Sequence, residues 1–173
     1  MQPTTTIIGM GNPILSDDAV GVLLAQDVEK ALCGRPDVRV VTECSVGGLN
    51  LLEYLEGFEQ AVVLDAIRTR GGVPGRCYRF TAVDLKPTAH LCNVHDANFA
   101  TALALGRLLG YPLPADRDIH VFAVEIVDDT TFGTSLTPQV ARHYAACRRR
   151  VLRGLRTLLG AAPVPIASGH GAG

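Results

Sequence analysis

Three short segments of this sequence carry the side chains best suited to chemistry. They are the acidic pair Asp17–Asp18 at a predicted helix entry, Asp65 at a predicted strand end, and His95 before another helix. Carboxylates at a helix start commonly cap it, so we expect one acid of the pair to cap and the other to face a crevice. Asp65 ends an apolar run, where a buried carboxylate is costly unless it is paired or metal-bound. Two carboxylates and one imidazole suit a divalent metal such as nickel or zinc.

Short apolar strands alternate with amphipathic helices around these groups. Strands are predicted over residues 5–9, 38–43, 61–66, 76–83 and 118–127, and helices over residues 19–32, 49–58, 97–109 and 138–159. Such alternation indicates an α/β fold with a parallel sheet covered on both faces. We predict a three-layer α/β/α sandwich around a mainly parallel, roughly five-stranded twisted sheet, with strand 76–83 at an edge.

Local signals predict how the helices begin and which side chains they bury. Ser16 and Asp17 are predicted N-caps of the first helix. Thr137 followed by Pro138 predicts the start of the last helix. In helix 97–109, four leucines are predicted to face the core, namely Leu103, Leu105, Leu108 and Leu109. Because ligands bind beyond the carboxyl ends of strands in open α/β sheets, the loops after the first three strands are predicted to share one crevice.

Composition and charge exclude several classes of protein. The net charge of −1 argues against an electrostatic nucleic-acid binder. No apolar run reaches the ~18 residues of a membrane span, and the first residues lack the basic segment of a signal peptide. Five scattered cysteines without a Cys-x-x-Cys pair indicate free thiols in a reducing cytoplasm. Residues 1–160 are predicted to form a single domain, and the Ala/Pro/Gly/Ser-rich segment 161–173 is predicted to be disordered.

Other interpretations of the same residues stay open at this point. Gly9-x-Gly11 resembles the opening of a dinucleotide-binding turn, but Ile14 occupies the position of its third glycine. The set His90-x-Cys92-x-x-His95 offers an alternative zinc site without an evident fourth ligand. The basic run Arg148–Arg150 is either the solvated face of the last helix or a docking patch for an acidic partner. No Gly-x-Ser-x-Gly nucleophile elbow is visible, so attack by water is the expected chemistry of a hydrolase here.

Five segments in order resemble the nickel–iron hydrogenase maturation endopeptidases, and together they cover roughly residues 7–158. The segments are Gly9-Met10-Gly11-Asn12 with its acidic pair and Gly21, Gly48-Leu49-x-Leu51-Leu52, Val63-Leu64-Asp65-Ala66, the helix after His95, and Gly133-x-x-Leu136-Thr137-Pro138. Where some relatives begin the second loop with Asp and a Gly-Gly pair, this chain has Glu43-Cys44-Ser45, which bears on substrate specificity.

The resemblance implies a function and a site. The expected enzyme is a peptidase that removes the C-terminal extension of a nickel-loaded precursor of the hydrogenase large subunit. Asp18, Asp65 and His95 are the implied catalytic and metal-binding residues. The loops that carry Gly9, Gly11, Asn12, Gly47 and Gly48 are the expected substrate contacts. The nickel is expected to be borne by the substrate, with no permanent cofactor. The enzyme is expected to be a cytoplasmic monomer with residues 1–160 as its catalytic domain, binding neither nucleic acid nor membrane. A nickel-binding accessory protein and a nucleotide-binding module are the alternatives.

Overall fold

The computed structural model describes residues 2–45, 48–85 and 94–160, with the backbone alone at residues 48 and 94–98. The strands are β1 (Thr5–Met10), β2 (Val38–Cys44), β3 (Gln60–Ile67), β4 (Cys77–Thr81) and β5 (Ile119–Glu125). The helices are α1 (Val20–Ala31), α2 (Val94–Leu108) and α3 (Pro138–Leu159). Short 3-10 helices occupy Asp17–Ala19, Gly48–Tyr54, Ala82–Asp84 and Asp116–Asp118.

The strands form one sheet in the order β2-β1-β3-β5-β4. The first four in this order are parallel, and β4 pairs antiparallel with β5 at the edge. The predicted fold class and the edge position of the fourth strand are therefore confirmed. Parallel pairing brings the carboxyl ends of β1, β2, β3 and β5 to one edge of the sheet, which we call the carboxyl edge.

Helices cover both faces of the sheet and bury its apolar side chains. One face packs against α2 and the 3-10 helix Gly48–Tyr54 through Leu51, Leu52, Phe99 and Leu103. The other packs against α1 and α3, with Leu24, Val28, Val140 and Leu155 among the buried side chains. Strands that are covered on both faces of the sheet need apolar residues at successive positions. β1 is such a strand, because it is buried along its whole length.

Two predictions for the helices were wrong. The segment predicted as helix 49–58 forms a short 3-10 helix, Gly48–Tyr54. In α2, Leu103 is buried as predicted and Leu105 is half-buried, but Leu108 is 83% and Leu109 62% exposed. At about 100° per residue, Leu108 lies opposite the buried Phe99 on the helix. The number of leucines in this segment therefore predicts a wider buried face than the helix has.

No helix within residues 2–45, 48–85 and 94–160 is both long and apolar enough to cross a membrane. In the same part of the chain the four cysteines are free thiols, with Cys33 exposed and Cys44, Cys77 and Cys147 buried. Residues 161–173 lie outside the description, so the predicted disordered tail and the predicted domain bounds stay predictions.

Candidate active site

Asp17 is completely buried and holds two distant parts of the chain together. Its Oδ1 accepts a hydrogen bond from the backbone N–H of Thr137 at 2.6 Å. Its Oδ2 accepts from the Thr137 hydroxyl at 2.9 Å and from the backbone N–H groups of Val127 and Asp128 at 3.1 and 3.2 Å. This carboxylate therefore fixes the loop between β5 and α3 against the start of the first helical segment.

The predicted caps of the first helix were wrong. The 3-10 helix Asp17–Ala19 comes first, and α1 begins only at Val20. Neither helix start has a side-chain cap, and the Ser16 hydroxyl donates instead to the carbonyl of Ser135 at 3.0 Å. The predicted start of the last helix at Thr137 is confirmed, although the Thr137 hydroxyl bonds Asp17 and does not cap its own helix.

Asp18 is half-buried and faces the turn that follows β1. Its Oδ2 accepts a hydrogen bond from the backbone N–H of Asn12 at 2.7 Å. The turn is possible because Gly11 has a φ of +125°, and a Cβ on Gly11 would come within 2.0 Å of the Asp18 carbonyl oxygen. Gly11 is therefore required for the close approach that orients Asp18.

Asp65 is half-buried near the carboxyl end of β3. Its Oδ1 accepts a hydrogen bond from the backbone N–H of Ala66 at 2.8 Å. Gly9 pairs with Leu64 in the β1–β3 register, so Asp65 follows directly after the last paired position. The 3-10 helix Asp17–Ala19 contacts β3. Asp18 and Asp65 therefore stand on neighbouring elements at the carboxyl edge.

Two glycines let α1 approach this edge closely. A Cβ on Gly21 would meet the carbonyl oxygens of Met10 and Leu64 at 2.3 and 2.4 Å. A Cβ on Gly9 would meet the Cβ of Ala25 at 2.6 Å. Helix–strand packing accounts for both glycines, and the predicted substrate contact of Gly9 stays a prediction. Gly21 thus allows the close helix–strand approach that the third glycine provides in a dinucleotide-binding turn, where this chain has Ile14.

The other predicted site residues are described in part or not at all. His95 lies in the first turn of α2, and its side chain is outside the described residues. Because α2 has 15 residues, it is about 22 Å long, and it ends beside the segment that leads into β5. The position of the His95 side chain beside Asp18 and Asp65 stays a prediction. Gly48 begins a 3-10 helix, while Gly47 and the alternative ligands His90 and Cys92 fall outside the described residues.

Glu125 is a further buried acid at the carboxyl edge that the sequence analysis did not select. It ends β5 and is 2% exposed. Its two carboxylate oxygens accept hydrogen bonds from the backbone N–H and the hydroxyl of Thr69, at 2.6 and 2.8 Å. A Cβ on Gly72 would come within 2.1 Å of this carboxyl group. An acid at the end of an apolar strand is the same signal that selected Asp65, so the pattern was available in the sequence.

The arrangement offers two half-buried carboxylates, Asp18 on the 3-10 helix that follows β1 and Asp65 near the end of β3. Carboxylates that water can reach are able to accept a proton from it or to bind a cation. Among the side chains that the structure describes, no three His, Cys, Asp or Glu groups gather into a metal-binding cluster. Asp18 and Asp65 are two of the three predicted ligands, and His95 is the third.

Comparison with known proteins shows which proteins the chain is similar to. A family model described as HycI, hydrogenase maturation protease, matches residues 22–153. The chain is 26% identical over 136 residues to the hydrogenase expression/formation protein HupD of Bradyrhizobium diazoefficiens, covering 78% of this chain and 68% of that protein.

Solved structures share the fold. The hydrogenase maturating endopeptidase HybD from Escherichia coli aligns with a TM-score of 0.68 and 22% identity, covering 91% of this chain and 93% of that one. The [NiFe] hydrogenase maturation protease HycI from Thermococcus kodakarensis aligns with a TM-score of 0.65 and 22% identity, covering 90% and 94%.

Proposed function

The chain belongs to the hydrogenase maturation protease family, and from that premise we propose how its residues serve the reaction. As a member, it is an endopeptidase that processes the large subunit of a hydrogenase. We propose that it removes a C-terminal extension from the nickel-loaded precursor. Asp18, Asp65 and His95 are the proposed centre, and the observation that carries this is the placement of Asp18 and Asp65 on neighbouring elements at the carboxyl edge.

Nickel enters this proposal as part of the substrate. Two carboxylates and one imidazole can bind a divalent ion while leaving coordination positions for the groups of the substrate that already hold it. Recognition of the metal would restrict cleavage to precursors that have received it. The protease then needs no resident metal, and its selectivity comes from the state of the substrate.

Hydrolysis of the peptide bond involves two proton transfers. Water adds to the scissile carbonyl carbon and loses a proton to a base, and the departing amine takes up a proton as the C–N bond breaks. The half-buried carboxylates of Asp18 and Asp65 are the described groups able to act as that base. Gly9, Gly11, Asn12, Gly47 and Gly48 are the proposed substrate contacts.

The test is cleavage of a nickel-loaded large-subunit precursor, followed by intact mass. We expect the loss of one C-terminal peptide with the wild-type protein, and no loss when nickel is withheld during precursor preparation. Asp18→Asn, Asp65→Asn and His95→Ala should each reduce the rate at least a hundredfold, in the range reported for removing a proton-transfer group. Asp118→Asn alters an acid in the 3-10 helix before β5 and is the control expected to cleave normally.

Each outcome bears on a different part of the proposal. Full activity in Asp65→Asn would reject the site assignment but not the activity. Nickel binding without cleavage of any precursor would instead indicate an accessory protein that carries the metal. Nickel-independent cleavage would reject the proposed recognition of the metal.

The cellular setting is proposed from the state of the cysteines. Free thiols in the described part of the chain suit a reducing compartment, which for this protein would be the cytoplasm. We also propose that the protein acts as a monomer on the precursor, without nucleic acid or membrane. Light scattering of the purified protein, alone and with the precursor, would test the monomer and a one-to-one complex.

A further inference from the structure

We propose that Arg79, Arg150 and Arg153 form a docking surface for an acidic face of the precursor large subunit. This inference rests on the proposed function, because it names a surface by which the protease holds its substrate outside the active centre. It also decides between the two interpretations of the basic run in the last helix, which are a solvated face and a docking patch. We call these three side chains the arginine cluster.

Helix α3 concentrates positive charge on a protein that has little net charge. It carries six arginines and no acidic residue, whereas the whole chain has a net charge of −1. The basic run of this helix divides on folding. Arg148 forms an ion pair with Asp27 of α1 at 3.0 Å. At about 100° per residue, Arg150 lies on the opposite flank of α3, so it is directed away from α1.

The flank of α3 that carries Arg150 runs along β4. The thiol of Cys147 donates to the carbonyl of Gly75 at 3.0 Å, and a Cβ on Gly75 would meet the Cβ of His143 at 2.5 Å. The pKa of the Cys147 thiol is held below its usual value, first by its hydrogen bond with Cys77 and then by the nearby charge of Arg150, against the effect of burial. Arg150 therefore lies near the first residue of β4.

The buried ring of Phe122 joins α3 and β4 beside the arginine cluster. The guanidinium of Arg79 lies over this ring, 5.4 Å from its centroid. A Cβ on Gly154 would come within 2.5 Å of the same ring, so α3 and Arg79 meet at this position. Arg153 adjoins Gly154 in the chain, and Arg150 precedes it by about one helical turn. The three arginines therefore lie along the boundary between α3 and β4.

The arginine cluster has no acidic partner within the part of the chain that the structure describes. All three side chains are exposed, and none takes part in the ion pairs that the described residues form. The acids of the neighbouring segments are already engaged, because Thr81 donates two hydrogen bonds to Asp84 and Arg117 pairs with Asp118. Guanidinium groups without counter-charges create a positive potential that attracts carboxylates.

Charge and position favour a protein as the occupant of this surface. Nucleic-acid binders usually carry a strong basic surplus, whereas this chain has a net charge of −1. The boundary between α3 and β4 begins at the carboxyl edge, where the backbone N–H of Gly75 donates to the carbonyl of Glu125 at 2.7 Å. A folded precursor placed over that edge extends along the boundary, so the protease's own substrate is the acidic polypeptide that we assign to it.

The experiment measures binding and cleavage of the nickel-loaded precursor by the full-length protein at several salt concentrations. Arg150→Glu and Arg153→Glu should each raise the Kd and the KM about fivefold at low ionic strength, mainly through a lower association rate. The effect should shrink as salt is added, because salt screens exposed charges, and kcat should not change. Arg150→Lys and Arg153→Lys keep the charge and should retain most of the affinity.

Arg79 needs a milder substitution, because its guanidinium lies over Phe122. Arg79→Met keeps a long side chain above the ring while removing the charge, and it should raise the Kd about threefold. The thermal midpoints of all variants should match that of the wild type, since the altered side chains are exposed.

Arg39→Glu is the matched control for the charge reversals. Arg39 is also exposed and outside the ion pairs of the described residues, but it lies on β2 at the opposite edge of the sheet. The substitution changes the net charge by the same amount and should leave the Kd within about twofold of the wild type. Equal affinities for Arg150→Glu, Arg153→Glu and the wild type would overturn the inference. So would an equal loss in Arg39→Glu, because net charge would then account for binding.

Two further probes test whether another anionic partner occupies the arginine cluster. They are a fluorescent DNA duplex and lipid vesicles that contain phosphatidylserine. If Arg150→Glu abolishes binding to either probe and leaves the affinity for the precursor unchanged, the inference is overturned.

Binding and cleavage together separate this inference from the proposed function. Precursor binding that depends on Arg150 and Arg153 without any cleavage would support the docking surface and reject the proposed protease chemistry. Cleavage with the same Kd and KM in both charge reversals and the wild type would support the chemistry and reject the docking surface.

Discussion

Asp17 and Asp18 are adjacent in the chain but meet different surroundings. Asp17 is completely buried and accepts four hydrogen bonds from three residues of the β5–α3 connection. Asp18 is half-buried, and its carboxylate accepts a backbone hydrogen bond from the β1 turn. A carboxylate that is surrounded by donors holds structure, whereas one open to solvent retains the capacity to meet water or a substrate. The acidic pair thus separates the structural role of Asp17 from the chemical role that we propose for Asp18.

Replacing each acid by asparagine should separate these tasks. Asp17→Asn puts an amide NH2 where a buried oxygen accepts, so we expect a loss of about 3 kcal/mol in the free energy of unfolding. Asp18→Asn should lower it by less than about 1 kcal/mol while greatly reducing cleavage. Urea denaturation and the precursor cleavage assay measure the two effects. Equal stability of the two variants would contradict the assigned roles.

Gly11 supports Asp18 through a conformation that other residues rarely adopt. Gly11→Ala would add the cost of a positive φ to a clash with the Asp18 carbonyl oxygen. We expect a loss of stability of at least about 3 kcal/mol together with at least a tenfold loss of activity. Gly34→Ala is the control, because Gly34 also has a positive φ but its Cβ would meet nothing within 4 Å. A loss of about 1 kcal/mol is expected there, and similar losses in both variants would remove the clash from the explanation.

At the scale of elements, helices α1 and α3 are joined by a polar contact above their shared apolar core. The Tyr144 hydroxyl donates to Asp27 at 2.9 Å, and Arg148 forms an ion pair with the same carboxylate at 3.0 Å. Burial, followed by the bond to Asp27, raises the pKa of the Tyr144 hydroxyl above its usual range. The contact therefore depends on tyrosine remaining protonated.

This contact predicts a pH dependence of stability. Because the folded pKa of Tyr144 is raised, its contribution is complete below the unfolded value of about 10 and is lost as pH rises above it. Unfolding by urea at pH 8 and pH 11 should show a fall in stability that is smaller in Tyr144→Phe. At pH 8 that variant should lose about 1 kcal/mol, while the exposed-ring control Tyr111→Phe should stay within about 0.5 kcal/mol of wild type. An identical fall in Tyr144→Phe and wild type would contradict the prediction.

At the scale of the whole molecule, the end of α3 contributes to the hydrophobic core between the sheet, α1 and α3. Leu155 is completely buried, and the carbonyl of Leu159 accepts a hydrogen bond from Arg35 at 3.1 Å. Arg35 also pairs with Asp37 at the start of β2, and the Asp37 hydrogen bond raises the pKa of the guanidinium while lowering that of the carboxyl. The end of the last helix is thereby tied to the connection between α1 and β2.

Two truncations test where the folded unit ends. A chain ending at Gly160 should keep the stability and cleavage rate of the full protein, since the predicted disordered segment 161–173 is all that it lacks. A chain ending at Gly154 should lose at least about 3 kcal/mol, because it removes buried Leu155 together with the bond to Arg35. Thermal unfolding with the cleavage assay measures both. A large loss in the longer chain would move the domain boundary past residue 160.

Local sequence determined the order of the elements and selected Asp65 and the acidic pair Asp17–Asp18, within which the family resemblance singled out Asp18. Apolar strands broken by glycine, proline and acids are visible along the chain, and an acid after such a run stands out because its burial is costly. Alternation over residues 76–83 identified the edge strand, and Thr137 followed by Pro138 identified the start of α3. These features depend on neighbours within a few positions, which is the range over which a single sequence is informative.

Tertiary structure alone decided which acid of the pair is buried, why Leu108 faces solvent, and that Leu15 pairs with Phe132. Asp17 bonds residues 110 to 120 positions away, and Ile14 bonds Gly133 across a similar separation. Local periodicity does not indicate which distant residues become hydrogen-bond partners. The buried stripe of α2 follows from where the sheet and Leu52 lie, not from its leucine content. The residues of the candidate centre could therefore be predicted from the sequence, whereas the contacts that support Asp17 and Asp18 exist only when the chain is folded.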